Sequence, residues 1–248
     1  MWCCDWYHTC PDEKVLYFNI EILKCVVFAG AKKLFDLDYS LLTIDLYLPY
    51  AYNFSMPRID NEKFYATAIE KHGKSPKGVH WNSAHSQEKR FEVIFSCIDD
   101  ENFSLVDAGC GFGDLYAYLQ KNEIPFTSYT GLDVSPSMVK IARENTGCEI
   151  IECDITRDVL PKADYYICSG SMNILTRFAT FLFIRNCYES CTKGFVFNLL
   201  MGKDDSLVYN HFYPDELQEL FAELGAKVLI KKDYLKHDFT VFLQKTDT

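Results

Sequence analysis

The sequence predicts an α/β domain built on a seven-stranded, mainly parallel sheet, with helices on both faces and an antiparallel last strand. Three observations predict it. From about residue 104 onward, apolar runs alternate with helical segments across short connections, the pattern of strands joined by crossovers that cover both sheet faces. Only a short turn, 234–238, separates the last two runs, 227–231 and 239–244. A turn that short makes a hairpin, so the final strand runs against its neighbour. Finally, a glycine-rich turn, Asp107-Ala108-Gly109-Cys110-Gly111-Phe112-Gly113, lies between a strand-like and a helix-like segment.

The elements follow in order. Residues 1–55 form an irregular extension, dense in Tyr, Phe, Leu and Cys and without a clear helical or strand period. Three readings of it stay open. It is a divergent small cap, or translated upstream sequence with the working protein starting at Met56, or a metal module on Cys3, Cys4, His8 and Cys10. The last lacks the second ligand pair that zinc sites usually supply, and no metal is expected. Residues 56–98 read as a helical cap. Asp60 caps a helix to about His72, with Phe64, Ala68 and Ile69 on one face, and Gly73 and Pro76 end it. A second helix over 86–98 carries Phe91, Val93, Ile94 and Cys97. Residues 99–248 form the main domain. Its first five strands are expected at 104–108, 128–134, 149–154, 164–169 and 194–200, and its helices at about 113–122, 136–145, 173–190 and 214–224.

Composition narrows the function. In 248 residues, 25 Lys and Arg face 35 Asp and Glu, giving a net charge of -10. That disfavours nucleic acid and anionic membranes, which need a basic face. The eleven cysteines are odd in number, and several, such as Cys168 in Tyr165-Tyr166-Ile167-Cys168, sit in apolar runs. They read as buried free thiols of a cytoplasmic protein; Cys187 and Cys191, one helical turn apart, are among them. No basic stretch precedes the first apolar run, so no secretory signal is expected. Charges such as Glu21 and Lys24 interrupt the long apolar stretches, so none is expected to span a membrane.

Glycine spacing in the turn discriminates between ligands. A dinucleotide fingerprint would need glycine at position 114, where Asp114 stands. What is present is D-x-G-x-G-x-G with an acidic residue ahead of the turn, which suits a ligand with a cationic centre and no phosphate. A second acidic residue, Asp133, ends the second strand, 20 residues past Gly113. A carboxylate there can accept both hydroxyls of a ribose. Ser135 and Pro136 then open a helix.

From about residue 75 to 245 the chain resembles the class I S-adenosylmethionine-dependent methyltransferases. The resemblance implies a Rossmann-like sheet, S-adenosylmethionine as cofactor, and a cofactor cradle at Asp107, Gly109, Cys110, Gly111 and Gly113. It places Asp133 on the ribose, Asp154 on the adenine amino group, and Ile155 and Val134 on opposite sides of the ring. A plain helix cap is the alternative for Asp154. At the end of the fourth strand, Ser169, Gly170, Ser171 and Asn173 line the place where donor and acceptor meet. The Asn/Asp-Pro-Pro-aromatic signature of many amide and base N-methylating families is absent there, as is a Pro-Cys nucleophile. A small-molecule methyl acceptor is therefore expected.

A sulfonium methyl is already activated, so positioning and water exclusion carry most of the chemistry. Three catalytic candidates stand out: His80, near neutrality in its titration, and His211 and Tyr213 in the long segment after the fifth strand. Trp81 could shield the sulfonium by a cation–π contact, and Arg90 could pair with the cofactor's carboxylate. Packing or surface roles are the alternatives for each. Two further readings remain open: a protein that binds the cofactor or its demethylated product without turnover, and transfer of a different group from the same cofactor. A nicotinamide dehydrogenase is disfavoured by Asp114.

Overall fold

The computed structural model describes residues 84–246, together with Thr67 and Lys71, both helical. The extension over 1–55, the rest of the first cap helix, His80 and Trp81 lie outside the described residues.

Among the described residues eight strands form one sheet: β1 Ser104–Ala108, β2 Ser128–Asp133, β3 Glu149–Glu152, β4 Ala163–Ser169, β5 Cys191–Met201, β6 His211–Phe212, β7 Lys227–Lys231 and β8 Asp238–Gln244. Within residues 84–246 the helices are α1 Ala84–Phe95, α2 Asp114–Lys121, α3 Pro136–Thr146, α4 Arg177–Ser190 and α5 Gln218–Glu223. The order across the sheet is β3-β2-β1-β4-β5-β8-β7, with β6 attached to β5. β1 to β5 pair in parallel, and β8 runs antiparallel to both β5 and β7, as the short final turn requires. No described helix is long and apolar enough to cross a membrane.

The sheet is buried on both faces because its central strands carry continuous apolar runs, Tyr165–Cys168 on β4 and Phe195–Phe197 on β5. On β4, Tyr166 and Cys168 point into one core cluster, and Tyr165 and Ile167 into the other. Such uninterrupted runs mark parallel strands covered on both sides. Phe91 and Ile94 of α1, Leu115 and Leu119 of α2, and Val139 and Ala142 of α3 pack on one face. Phe183, Ile184, Cys187 and Tyr188 of α4 and Leu220 and Phe221 of α5 pack on the other. The described cysteines are free thiols, and Cys187 and Cys191 belong to the core.

Three expectations are corrected. The sheet has an eighth strand, β6, whose two residues pair with Leu200 and Met201; two residues carry no alternation to read. The helix expected over 173–190 is two pieces. A 3-10 turn, Ser171–Ile174, follows Gly170 in the left-handed region at φ 93°, and α4 starts afresh at Thr176, whose hydroxyl accepts from Ala179 N. The helix expected over 214–224 is likewise a 3-10 turn, Pro214–Leu217, followed by α5.

The strand order reverses between β1 and β4, which opens a crevice at their carboxyl ends, the usual ligand position in such a sheet.

Candidate active site

A cavity of about 270 Å³ occupies that crevice. Its floor is the glycine turn after β1. The N–H groups of Gly109 and Cys110 both donate to Leu132 O, at 2.8 and 2.9 Å, which fastens the turn to β2. Gly109 and Gly113 have φ of 80° and 83°. A Cβ on Gly109 would lie 2.3 Å from Ser171 Oγ and Cβ, and one on Gly113 would lie 2.4 Å from Thr146 Cγ2. The outer glycines are thus demanded by the chain's own packing. Gly111, between them, donates its N–H to Asp133 Oδ2 at 2.9 Å.

Asp133 is held from both sides, since its Oδ1 accepts from Ser135 N at 2.9 Å. Burial pushes its carboxyl above the usual range, while the N–H groups of Ser135, Gly111 and Val134 pull it back. An ionised carboxylate offers about four acceptor positions, so these bonds leave it acceptor capacity toward the cavity. Next to it, Val134 is 51% exposed and lines the cavity, an apolar surface open to a flat ring. Asp107 is buried and accepts the Tyr129 hydroxyl at 2.7 Å. Burial raises its carboxyl to about 7, against the Tyr129 hydrogen bond and with help from the charges of Asp133 and Asp114. Burial likewise drives the Cys110 thiol far above its ordinary range, so it is an inert wall atom.

Asp154 lines the cavity, yet its carboxylate is engaged locally. Oδ1 accepts from Thr156 N and Oγ1 at 3.0 and 2.7 Å, and Oδ2 lies 3.5 Å from Arg157 Nε. It therefore caps its own turn, the alternative noted above. Ile155 is buried and lines the cavity. Ser169 and Gly170 line it too, with the Ser169 hydroxyl on Asn198 Oδ1 at 2.7 Å.

Arg90 reaches the cavity wall, but its Nε and Nη2 donate to Asp238 at 3.0 and 2.6 Å in a buried ion pair. Its charge is balanced within the fold, and it joins α1 to β8. His211 and Tyr213 are not among the lining residues. His211 opens β6, with its backbone N–H on Asp204, its carbonyl on Arg177, and a buried Nδ1 without a partner. Tyr213 is 52% exposed, ahead of the Pro214–Leu217 turn. Sequence reasoning missed Gln87, Leu175, Ala179 and Phe183, all of which line the cavity, and in the long segment after the fifth strand the aromatic that lines it is Tyr209. Gln87 donates to Asp114 Oδ2 at 2.8 Å. The others come from the α4 region, where no motif marks them.

Residues 105–194 match the family described as "Methyltransferase domain". A curated relative, "Putative methyltransferase Rv1506c" of Mycobacterium tuberculosis, is 32% identical over 161 residues, which cover 58% of this chain and 93% of that protein. The chain belongs to the class I S-adenosylmethionine-dependent methyltransferases. The methyltransferase also shares its fold with solved members. Magnesium protoporphyrin IX methyltransferase from Synechocystis PCC 6803, crystallised with S-adenosylmethionine, has a TM-score of 0.56 at 11% identity, over 77% of this chain and 100% of that one. Human N-acetylserotonin methyltransferase, also with S-adenosylmethionine, gives 0.56 at 16% identity, over 76% and 61% of the two chains. The methyltransferase uses S-adenosylmethionine, and its site fits that cofactor. Asp133 keeps acceptor capacity for a ribose, Val134 offers an open apolar surface, and carboxylates rather than cations gather around the glycine turn.

Proposed function

We propose that this methyltransferase moves the methyl group to a small-molecule acceptor by in-line displacement, chiefly by positioning. The observation that carries the reading is the composition of the wall beyond β4. Ser169, Gly170, Ser171, Asn173, Ile174, Leu175, Ala179, Phe183 and Tyr209 line it without one charged side chain. Among the described lining residues the one cation is Arg90, already paired with Asp238. A polyanionic acceptor would need unpaired cations there.

When bound, S-adenosylmethionine supplies a methyl group on an electrophilic sulfonium centre. Asp133 accepts the ribose hydroxyls, Val134 and Ile155 flank the adenine, and Asp154 adds a polar edge while capping its turn. Asp107 and the turn Gly109–Gly113 hold the cationic end by charge and close backbone approach. The wall beyond β4 holds the acceptor in line and keeps water out, which supplies rate without a covalent step. No described lining residue is His or Lys. On the sequence reading, His80 takes the proton of an acceptor that needs a base, and Trp81 shields the sulfonium.

Calorimetry tests the cofactor half. S-adenosylmethionine and S-adenosylhomocysteine should bind in the micromolar range, with NAD as the silent control. Mass spectrometry of a small-molecule acceptor screen tests the rest, with a product one methyl group heavier as the expected result. A folded protein that binds neither sulfur ligand, or that methylates only a polymer, would overturn the reading.

A further inference from the structure

We propose that Asn173 is the polar anchor for the acceptor, and that the acceptor is uncharged, largely flat and apolar, with one hydrogen-bonding group offered to that amide. The inference rests on the small-molecule reading above.

Asn173 sits in the Ser171–Ile174 turn, is only 8% exposed, and lines the cavity. Its Oδ1 is buried with no hydrogen-bond partner. A buried polar atom without a partner is destabilising, and such atoms in folded proteins call for an explanation. The backbone of Asn173 is fully used, its N–H on Gly170 O at 3.1 Å and its carbonyl on Asn210 N at 2.6 Å. The residue is therefore fixed in place while its Oδ1 remains without a partner.

Position separates this amide from the cofactor residues. Asp133, Val134, Asp154 and Ile155 follow β2 and β3 on one side of the crevice. Asn173 follows β4 on the other, in the same wall as Leu175, Phe183 and Tyr209. Asn210 ties the segment carrying Tyr209 to this wall. It is fully buried, and its Nδ2 donates to Thr180 Oγ1 at 2.9 Å, which in turn donates to Thr176 O at 3.0 Å. The Oδ1 of Asn210 is also unpartnered, but Asn210 does not line the cavity.

The wall's chemistry sets the acceptor class. A carboxylate or ammonium placed there would be desolvated without a counter-charge. A neutral hydroxyl, amide or ring N–H satisfies an amide side chain, which can offer either its oxygen or its NH₂. The apolar residues around it suit a ring.

A matched set of one-ring phenols provides the test: 4-hydroxybenzamide is neutral, 4-hydroxybenzoate anionic and tyramine cationic. Ligand-observed NMR would measure their binding to the protein saturated with S-adenosylhomocysteine. The neutral probe should bind best. Asn173→Ala should weaken it about ten-fold while leaving S-adenosylhomocysteine affinity within about two-fold, and Asn173→Gln should restore part of the loss. Preference for either charged probe, no detectable binding of the neutral one, or unchanged neutral binding in Asn173→Ala overturns the proposal. So does a large loss of S-adenosylhomocysteine affinity in Asn173→Ala, which would assign the amide to the cofactor. If the wild-type protein binds no S-adenosylhomocysteine at all, the small-molecule methyltransferase reading fails instead.

Discussion

The two sides of the crevice satisfy their polar groups in different ways. After β1 and β2, partners come from within a single strand–helix–strand unit. Gly111 and Ser135 hold Asp133, Tyr129 holds Asp107, and the glycine turn hangs on Leu132. After β4 and β5, the buried side-chain atoms left without partners among the described residues are Asn173 Oδ1, Asn210 Oδ1 and His211 Nδ1. One side is complete before any ligand arrives, and the other is built around polar atoms that still lack a partner. A preorganised cofactor side serves a ligand common to a whole family, whereas the second side carries what is particular to this chain.

Four substitutions test that contrast. The largest effect should come from Arg90→Ala, which strands Asp238 inside the fold. Breaking a buried pair by removing one partner costs about 3–5 kcal/mol, on the order of 10 °C in a domain this size. Thermal melts should show the drop with and without cofactor, because the pair staples α1 to β8 whichever side is filled. Next in size, Asp133→Ala should weaken S-adenosylhomocysteine by about a hundred-fold in calorimetry, since charge-assisted bonds are lost. Binding of the neutral phenol probe should change far less if the two sides are separate.

Gly109→Ala probes the seam between them. Its new methyl would meet Ser171 at 2.3 Å with φ fixed at 80°, costing about 2 kcal/mol by crowding and backbone strain. Pairing it with Ser171→Gly should return the crowding part in denaturant unfolding, and no recovery would mean that backbone strain alone is responsible. The last effect depends on pH and concerns Asp107. Its carboxyl is raised to about 7 from an ordinary 3.8, so the folded chain keeps a proton that the unfolded chain sheds first. That contribution is present below about pH 4 and lost as pH rises through about 7. Asp107→Asn should therefore gain a few degrees over the wild type at pH 8 and almost none at pH 4. An equal gain at both would show that the carboxyl does not titrate in this window.

The side after β1 and β2 was largely legible in the sequence because its partners belong to one strand–helix–strand unit. Asp133 could be named from its distance to the glycine turn, and Ser135 from the Pro136 behind it. Asp154 was named with two roles, and its neighbours Thr156 and Arg157 decide which one the carboxylate plays in the fold. The other side resisted. The partner of Arg90 is Asp238, 148 residues away, and no spacing predicts it. Phe183 reads as ordinary helix core, and Tyr209 lies in a segment without period. The orphan state of Asn173 exists only once Gly170 and Asn210 have fixed its backbone. β1 and β7 matched their expected limits because long apolar runs between turn residues define them, while the two residues of β6 depend wholly on β5.

The position of β8 between β5 and β7 also bears on how the protein is made. On a ribosome, β1 to β5 can pair as they emerge, each onto a neighbour already present. β5 then waits, eleven residues long, with one edge unmatched until residues 238–244 leave the exit tunnel. An unpaired strand edge of that length is a template for other chains. Until β8 pairs with it, β5 thus carries an aggregation risk that the finished sheet removes.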